Sequence, residues 1–130
     1  MRVHGHLLVF DTGDEVISTL QQFIKEQQIP SAWFQAIGAF ETSVIAYWNW
    51  DTKQYEDIAA GEQVEVLALS GNATAAKIHA HVVLGRRSGE TIGGHLKRGI
   101  VRPTLEMHLT RFEHELVRKR DEVTGLDLIR

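Results

Sequence analysis

Three of the chain's seven histidines fall within "KIHAHVVLGRRSGETIGGHLKRG", residues 77–99. His79 and His81 are two residues apart, and His95 follows a pair of glycines. Residues two apart on a β-strand share a face and sit about 7 Å from each other along the backbone, a span that lets two imidazoles ligate one ion. "GRRSGE" reads as a turn that reverses the chain and brings His95 back beside the pair, while Gly93 and Gly94 allow the backbone to bend or approach closely just before it. Three nitrogen ligands without a thiolate match the triad of zinc sites that keep one coordination position open. Ligand type alone also admits nickel, copper or iron. The competing reading is that these are polar residues of an exposed strand, hydrogen-bonding locally or to a partner.

Other titratable residues have weaker claims. In "VRPTLEMHL", Leu105, Met107 and Leu109 form the apolar face, which places Thr104, Glu106 and His108 on the other. Glu106 is a candidate fourth ligand, a carboxylate orienting an imidazole, or a general base for bound water, against the plainer reading of a solvated strand carboxylate. His4 and His6 alternate at the first strand with no third partner nearby, and His108 and His114 read as surface residues. Lys97, Arg98 and Arg102 make a modest basic cluster, read as a solvated face. No phosphate loop, dinucleotide fingerprint or nucleophile elbow is present.

These side chains need a scaffold, and the periodicity supplies one. "HGHLLVF" predicts a first strand over about residues 3 to 10. Asp14 is placed to cap a helix over "EVISTLQQFIKEQQ", whose Val16, Ile17, Leu20, Phe23 and Ile24 recur at helical spacing before Pro30 stops it. The period then becomes two in "SAWFQAIGAF", "SVIAYWNW", "QYEDI", "EQVEVLALSGNAT", "AKIHAHVVLG" and "IVRPTLEMHLTRF", and the last ten or so residues read as a short strand with a frayed end. One helix followed by six or seven strands predicts an α+β fold, a mostly antiparallel and strongly curved sheet with one main helix packed on it. "SVIAYWNW" offers Val44, Ala46, Trp48 and Trp50 on one face and Ile45 and Tyr47 on the other. Such a sheet must close on itself or be covered by other subunits.

The 130 residues are expected to form a single domain whose core is large enough to need no metal or disulfide, so a bound ion would be functional. A net charge of −3 disfavours a general phosphate-binding surface. The absence of cysteine removes thiol chemistry altogether, and no signal peptide or membrane span is read, making the cytoplasm the expected location.

"VEVLALSGNAT", "KIHAHVVLG", "TIGGHLKRGIVRPTLEMHL" and the opening "TGDEVISTLQQFIKEQQIPSAWFQAIGAFETSVI" resemble the plants-and-prokaryotes conserved domain (PPC, also PCC). The most specific piece is His-Ala-His, a hairpin, Gly-Gly-His-Leu and Pro-Thr-Leu-Glu. The likeness runs over residues 1 to about 113 and leaves a short C-terminal extension. It implies a compact α+β subunit assembling as a homotrimer, with a candidate metal site that carries over to His79, His81 and His95. In plants the domain follows AT-hooks that bind the DNA minor groove, but this sequence contains no Arg-Gly-Arg-Pro core. The expectation is therefore a homotrimer binding a divalent transition metal, zinc foremost, with no direct nucleic-acid or membrane binding and no assignable reaction. The alternative is an oligomerisation or protein-interaction module with a regulatory or DNA-associated role.

Overall fold

Gly5, with a φ of 62°, breaks the opening segment into a hairpin where a single strand was expected. Strand β1 (Arg2–His4) folds back on β2 (Leu7–Asp11), His4 opposite Leu7. The computed structural model describes residues 1–130. Helix α1 (Val16–Glu26) follows, capped by Glu15 and not by Asp14. The Asp14 carboxylate is turned back, accepting the Asp11 N–H at 2.9 Å and meeting the N-terminal ammonium at 3.1 Å. Glu15 therefore takes over the helix's free donors: its carboxylate accepts the N–H groups of Ser18 (2.7 Å) and Ile17 (3.2 Å), and also that of Gly99 (3.2 Å). The helix ends at Glu26, four residues before Pro30. Gln28 adopts a left-handed φ of 50°, and Ile29 N–H donates to the Ile24 carbonyl at 3.0 Å, satisfying one of the last carbonyls.

Seven strands follow: β3 (Ser31–Asn49), β4 (Gln54–Ala59), β5 (Val64–Thr74), β6 (Ile78–Gly85), β7 (Thr91–Phe112), β8 (Arg118–Arg120) and β9 (Asp127–Ile129). "SAWFQAIGAF" and "SVIAYWNW" are thus one strand of 19 residues, and β7 reaches back over "TIGGHLKRG" to a length of 22. Three register shifts punctuate the β3–β7 ladder, between Gly38 and Phe40, Phe40 and Thr42, and Val44 and Ile45. A Cβ at Gly38 would lie 2.3 Å from the Thr104 carbonyl oxygen, so only glycine permits the first of these contacts. The last shift upsets the simple alternation expected for "SVIAYWNW": consecutive Ile45 and Ala46 are both buried and Tyr47 is exposed.

The main sheet is antiparallel throughout, in the order β1-β2-β7-β6-β5-β3-β4, and β7 also pairs with β3. The hydrogen-bonded ladder therefore returns on itself through β3, β5, β6 and β7. Phe10, Phe34, Phe40, Leu84, Leu105 and Met107 join Val16, Leu20 and Ile24 of α1 in one buried cluster. The fold is α+β, mostly antiparallel strand with a single α-helix. The C-terminal segment forms a two-stranded hairpin of its own, β8 with β9. No helix is long and apolar enough to cross a membrane.

Candidate metal centre

Strand β6 follows the predicted alternation: Ile78, Ala80, Val82 and Leu84 are buried, while His79, His81 and Val83 point away from that core. The turn after it is closed by Arg86 N–H donating to the Glu90 carbonyl at 2.8 Å, with Gly89 supplying a φ of 88°. This turn sets the register. Gly85 pairs with Thr91 and, counting back two by two, His81 pairs with His95. Directly paired antiparallel residues share a face with Cβ atoms about 5 Å apart, and diagonal neighbours remain within reach of long side chains. His95 therefore arrives opposite His81 and diagonal to His79. Ring centroids lie 5.0 Å (His79–His81), 5.4 Å (His79–His95) and 5.8 Å (His81–His95) apart, and a ligand nitrogen from each falls within 4.8 Å of the others. All three rings belong to one subunit.

His95 is also held from its other side, because β7 is flanked here by both β6 and β3 and His95 pairs with Ala46 as well. A Cβ on Gly94 would come within 2.8 Å of the Ala46 carbonyl, so the backbones meet too closely for another residue without a shift. Tyr55, paired with Trp48 across β3–β4, stacks on His95 at 4.7 Å with the rings 25° apart. Trp48 meets Tyr55 edge-on at 4.9 Å.

Burial lowers the pKa of His79 from 6.5 to about 4, reinforced by repulsion from His81, Arg118 and Lys77. Burial likewise lowers His95 to about 4, with His79, His81, Lys77 and Lys97 adding to it. Both rings are therefore neutral at pH 7, the form that coordinates. The Nδ1 atom of His95 is buried with no hydrogen-bond partner, which leaves an unmatched polar atom costing about 1–3 kcal/mol. A tetrahedral zinc ion with bonds of about 2.1 Å would bring its nitrogens to roughly 3.4 Å from one another. Three imidazoles on adjacent strands could thus hold a divalent metal and leave a position open.

Glu106 does not join them within the subunit. Its face was read correctly, but it lies eleven residues along β7 from His95, roughly 35 Å of strand. It pairs instead with Val9 and Ile37 and lines a groove with Leu7, Leu67 and His108. His4, His6, His108 and His114 are exposed, the His6 and His108 rings 6.2 Å apart. The basic cluster is largely an ion-paired surface: Lys97 meets Asp57 at 2.7 Å and Arg102 meets Glu41 at 2.6 Å.

Two neighbours of the triad escaped the sequence reading. Tyr55 sat in "QYEDI", where strand period gives no hint of a ring stacked across a third strand. Arg118 lay at the edge of a tail read only as a short strand with a frayed end. Its Nη2 donates to Asn72 Oδ1 and its Nη1 to the Asp127 carbonyl at 3.1 Å, while its Nε is buried without a partner. Asn72 pairs with His79 in the β5–β6 ladder, so this contact ties the C-terminal hairpin beside the triad.

Residues 2–113 match the Plants and Prokaryotes Conserved (PCC) domain, and the chain belongs to that family. A metal-containing protein from Archaeoglobus fulgidus is 33% identical, with a TM-score of 0.85 over 100% of this chain and 99% of that one. A presumed DNA-binding protein from Bacteroides thetaiotaomicron is 25% identical, with a TM-score of 0.91 over 99% of this chain and 94% of that one. The bifunctional protein GlmU of a Synechococcus species is 28% identical over 116 residues, 87% of this chain but only 18% of its own length. The chain thus spans a small part of that curated relative.

Proposed function

We propose that this PCC-domain chain is a cytoplasmic homotrimer whose His79, His81 and His95 bind one divalent transition metal per subunit, zinc before the others. The carrying observation is the register: the His81–His95 pair and the diagonal His79 put three imidazoles within 4.8 Å on one face. The similar metal-containing protein from Archaeoglobus fulgidus supports the reading. Zinc suits an all-imidazole set with an open position. Such an ion supplies Lewis acidity and a bound water of lowered pKa. The chain's own residues hold and orient the rings: Tyr55 stacks on His95, and burial keeps His79 and His95 unprotonated. No reaction is assigned, because Glu106, the carboxylate considered as a base, lies elsewhere in the subunit.

Trimer assembly is supported by the outer face of the sheet. Ile37 and Leu67 are 60% and 50% exposed, and with Leu7 they border a groove of about 560 Å³ that a neighbouring subunit would fill. That same face favours the second reading, an interaction module whose apolar groove receives another protein. Direct DNA binding fits poorly with a net charge of −3 and no AT-hook core in the sequence.

Light scattering coupled to gel filtration checks the assembly: the expected mass is about three times the 14.7 kDa subunit. A monodisperse monomer at micromolar concentration would sink the trimer. Zinc titration of chelator-treated protein checks the site, with about one equivalent bound by the wild type and none by the His79→Ala/His81→Ala/His95→Ala variant.

A further inference from the structure

Between His79 and the C-terminal hairpin lies a cavity of about 350 Å³, walled by Tyr55, Lys77, Arg118 and residues Leu126 to Arg130. Six of the chain's fourteen Lys and Arg side chains face an acid. Lys77 and Arg118 do not: neither has a carboxylate within ion-pair distance. Asp127 is the one acidic side chain in the wall, and it is engaged by Arg120 at 3.6 Å. The Arg118 guanidinium is braced by Asn72 and by the Asp127 carbonyl, yet its Nε–H remains buried and unpartnered. The Asp127 carboxylate is near enough to favour the Arg118 charge, yet the guanidinium's direct partners are all neutral, which leaves it without a hydrogen-bonded anion. The apolar part of the wall comes from Leu126, Leu128, Ile129 and the Tyr55 ring.

We infer that this cavity binds a small organic carboxylate, its anionic head on Arg118 and Lys77 and its apolar tail against the hairpin. A braced guanidinium offers a planar fork matched to a carboxylate, and an ammonium beside it adds a point charge. The volume lies at the small end of ligand pockets, about 300–1,000 Å³, which suits a compact acid. The hairpin lies beyond the residues matching the family, so the Arg118 anchor and, Tyr55 apart, the apolar lining belong to the C-terminal extension. His79 opens onto the same cavity, so a bound carboxylate would sit next to the metal centre. The anchors are protein groups, and the site does not require the ion.

The test follows amide shifts of isotope-labelled protein, both zinc-loaded and chelator-treated, during titration with butyrate or inorganic phosphate. Butyrate should saturate both forms and perturb residues 77, 118 and 126–130. Arg118→Gln should weaken it by about tenfold and Lys77→Gln by about threefold, with Arg118→Lys falling between wild type and Arg118→Gln because it keeps charge without the fork. Phosphate should bind at least about fivefold more weakly, lacking a tail for the apolar wall. The Lys77→Gln variant, which touches neither Asn72 nor the hairpin bonds, carries the test if Arg118→Gln does not fold. Absence of saturable shifts in the wild type, unchanged affinity in folded variants, or phosphate binding as tightly as butyrate would each overturn the assignment. Zinc content is read separately on every sample. Butyrate binding by a protein that takes no zinc would therefore sink the metal reading alone, and zinc without butyrate binding would sink this inference alone.

Discussion

Lowering the pH from 7.5 to 4.5 should destabilise the metal-free protein through His79 and His95. Each falls from 6.5 to about 4 in the folded chain, so below pH 6.5 the unfolded chain takes up protons that the folded chain refuses. Stability from these rings is complete above about 6.5, declines as pH falls, and levels off near 4 where both states are protonated. At ~1.4 kcal/mol per pH unit, the drop would be worth ~3 kcal/mol for each ring if water were fully excluded. Both rings are only partly buried, and part of the His95 shift comes from the charge of His79 itself, which brings the pair to ~2 kcal/mol together. With a urea slope of about 2 kcal/mol/M for a chain of this size, the midpoint should fall by roughly 1 M. Urea unfolding followed by circular dichroism, at one protein concentration and with chelator present, measures it. The His79→Gln/His95→Gln variant cancels every other titrating group, and its midpoint should fall much less. Parallel midpoint-against-pH curves for the two proteins would refute the burial argument.

Gly94→Ala should cost about 1–3 kcal/mol and loosen metal binding, because the added methyl meets the Ala46 carbonyl at 2.8 Å; thermal unfolding and zinc titration read the two effects. Gln28→Gly should raise stability by about 0.5 kcal/mol, or ~2 °C in melting temperature, by relieving the left-handed φ of 50° at the helix end. Glu106→Gln should leave zinc affinity unchanged within about twofold in a titration, as the carboxylate lies far along β7 from the triad.

What could be read in advance was whatever depends on local period and loop length. The β6 alternation and the Gly-containing turn together dictate that His81 faces His95, so the triad was visible before any tertiary contact was known. The same alternation gave the face of Glu106 correctly but not its distance from the triad, because a face says nothing about position along a 22-residue strand. The merging of two expected strands into β3 depends on bulges set by both flanking strands, β5 and β7, at close contacts such as Gly38 on Thr104. Arg118 was out of reach for a related reason: its partner Asn72 is 46 residues away, and neither residue carries a pattern that announces the other. The helix cap moved from Asp14 to Glu15 because the N-terminal amine and Asp11 N–H compete for the Asp14 carboxylate.

The metal content of protein purified without an affinity tag, measured by elemental analysis after extensive desalting, tests the central claim most directly. The account predicts about one equivalent of a divalent transition metal per subunit, zinc predominating, and its loss in single alanine variants of His79, His81 or His95 while α+β circular dichroism persists. Stoichiometric metal retained by the triple variant would contradict the ligand assignment. A wild type that keeps none after refolding with zinc, nickel, manganese or iron would contradict the metal centre itself.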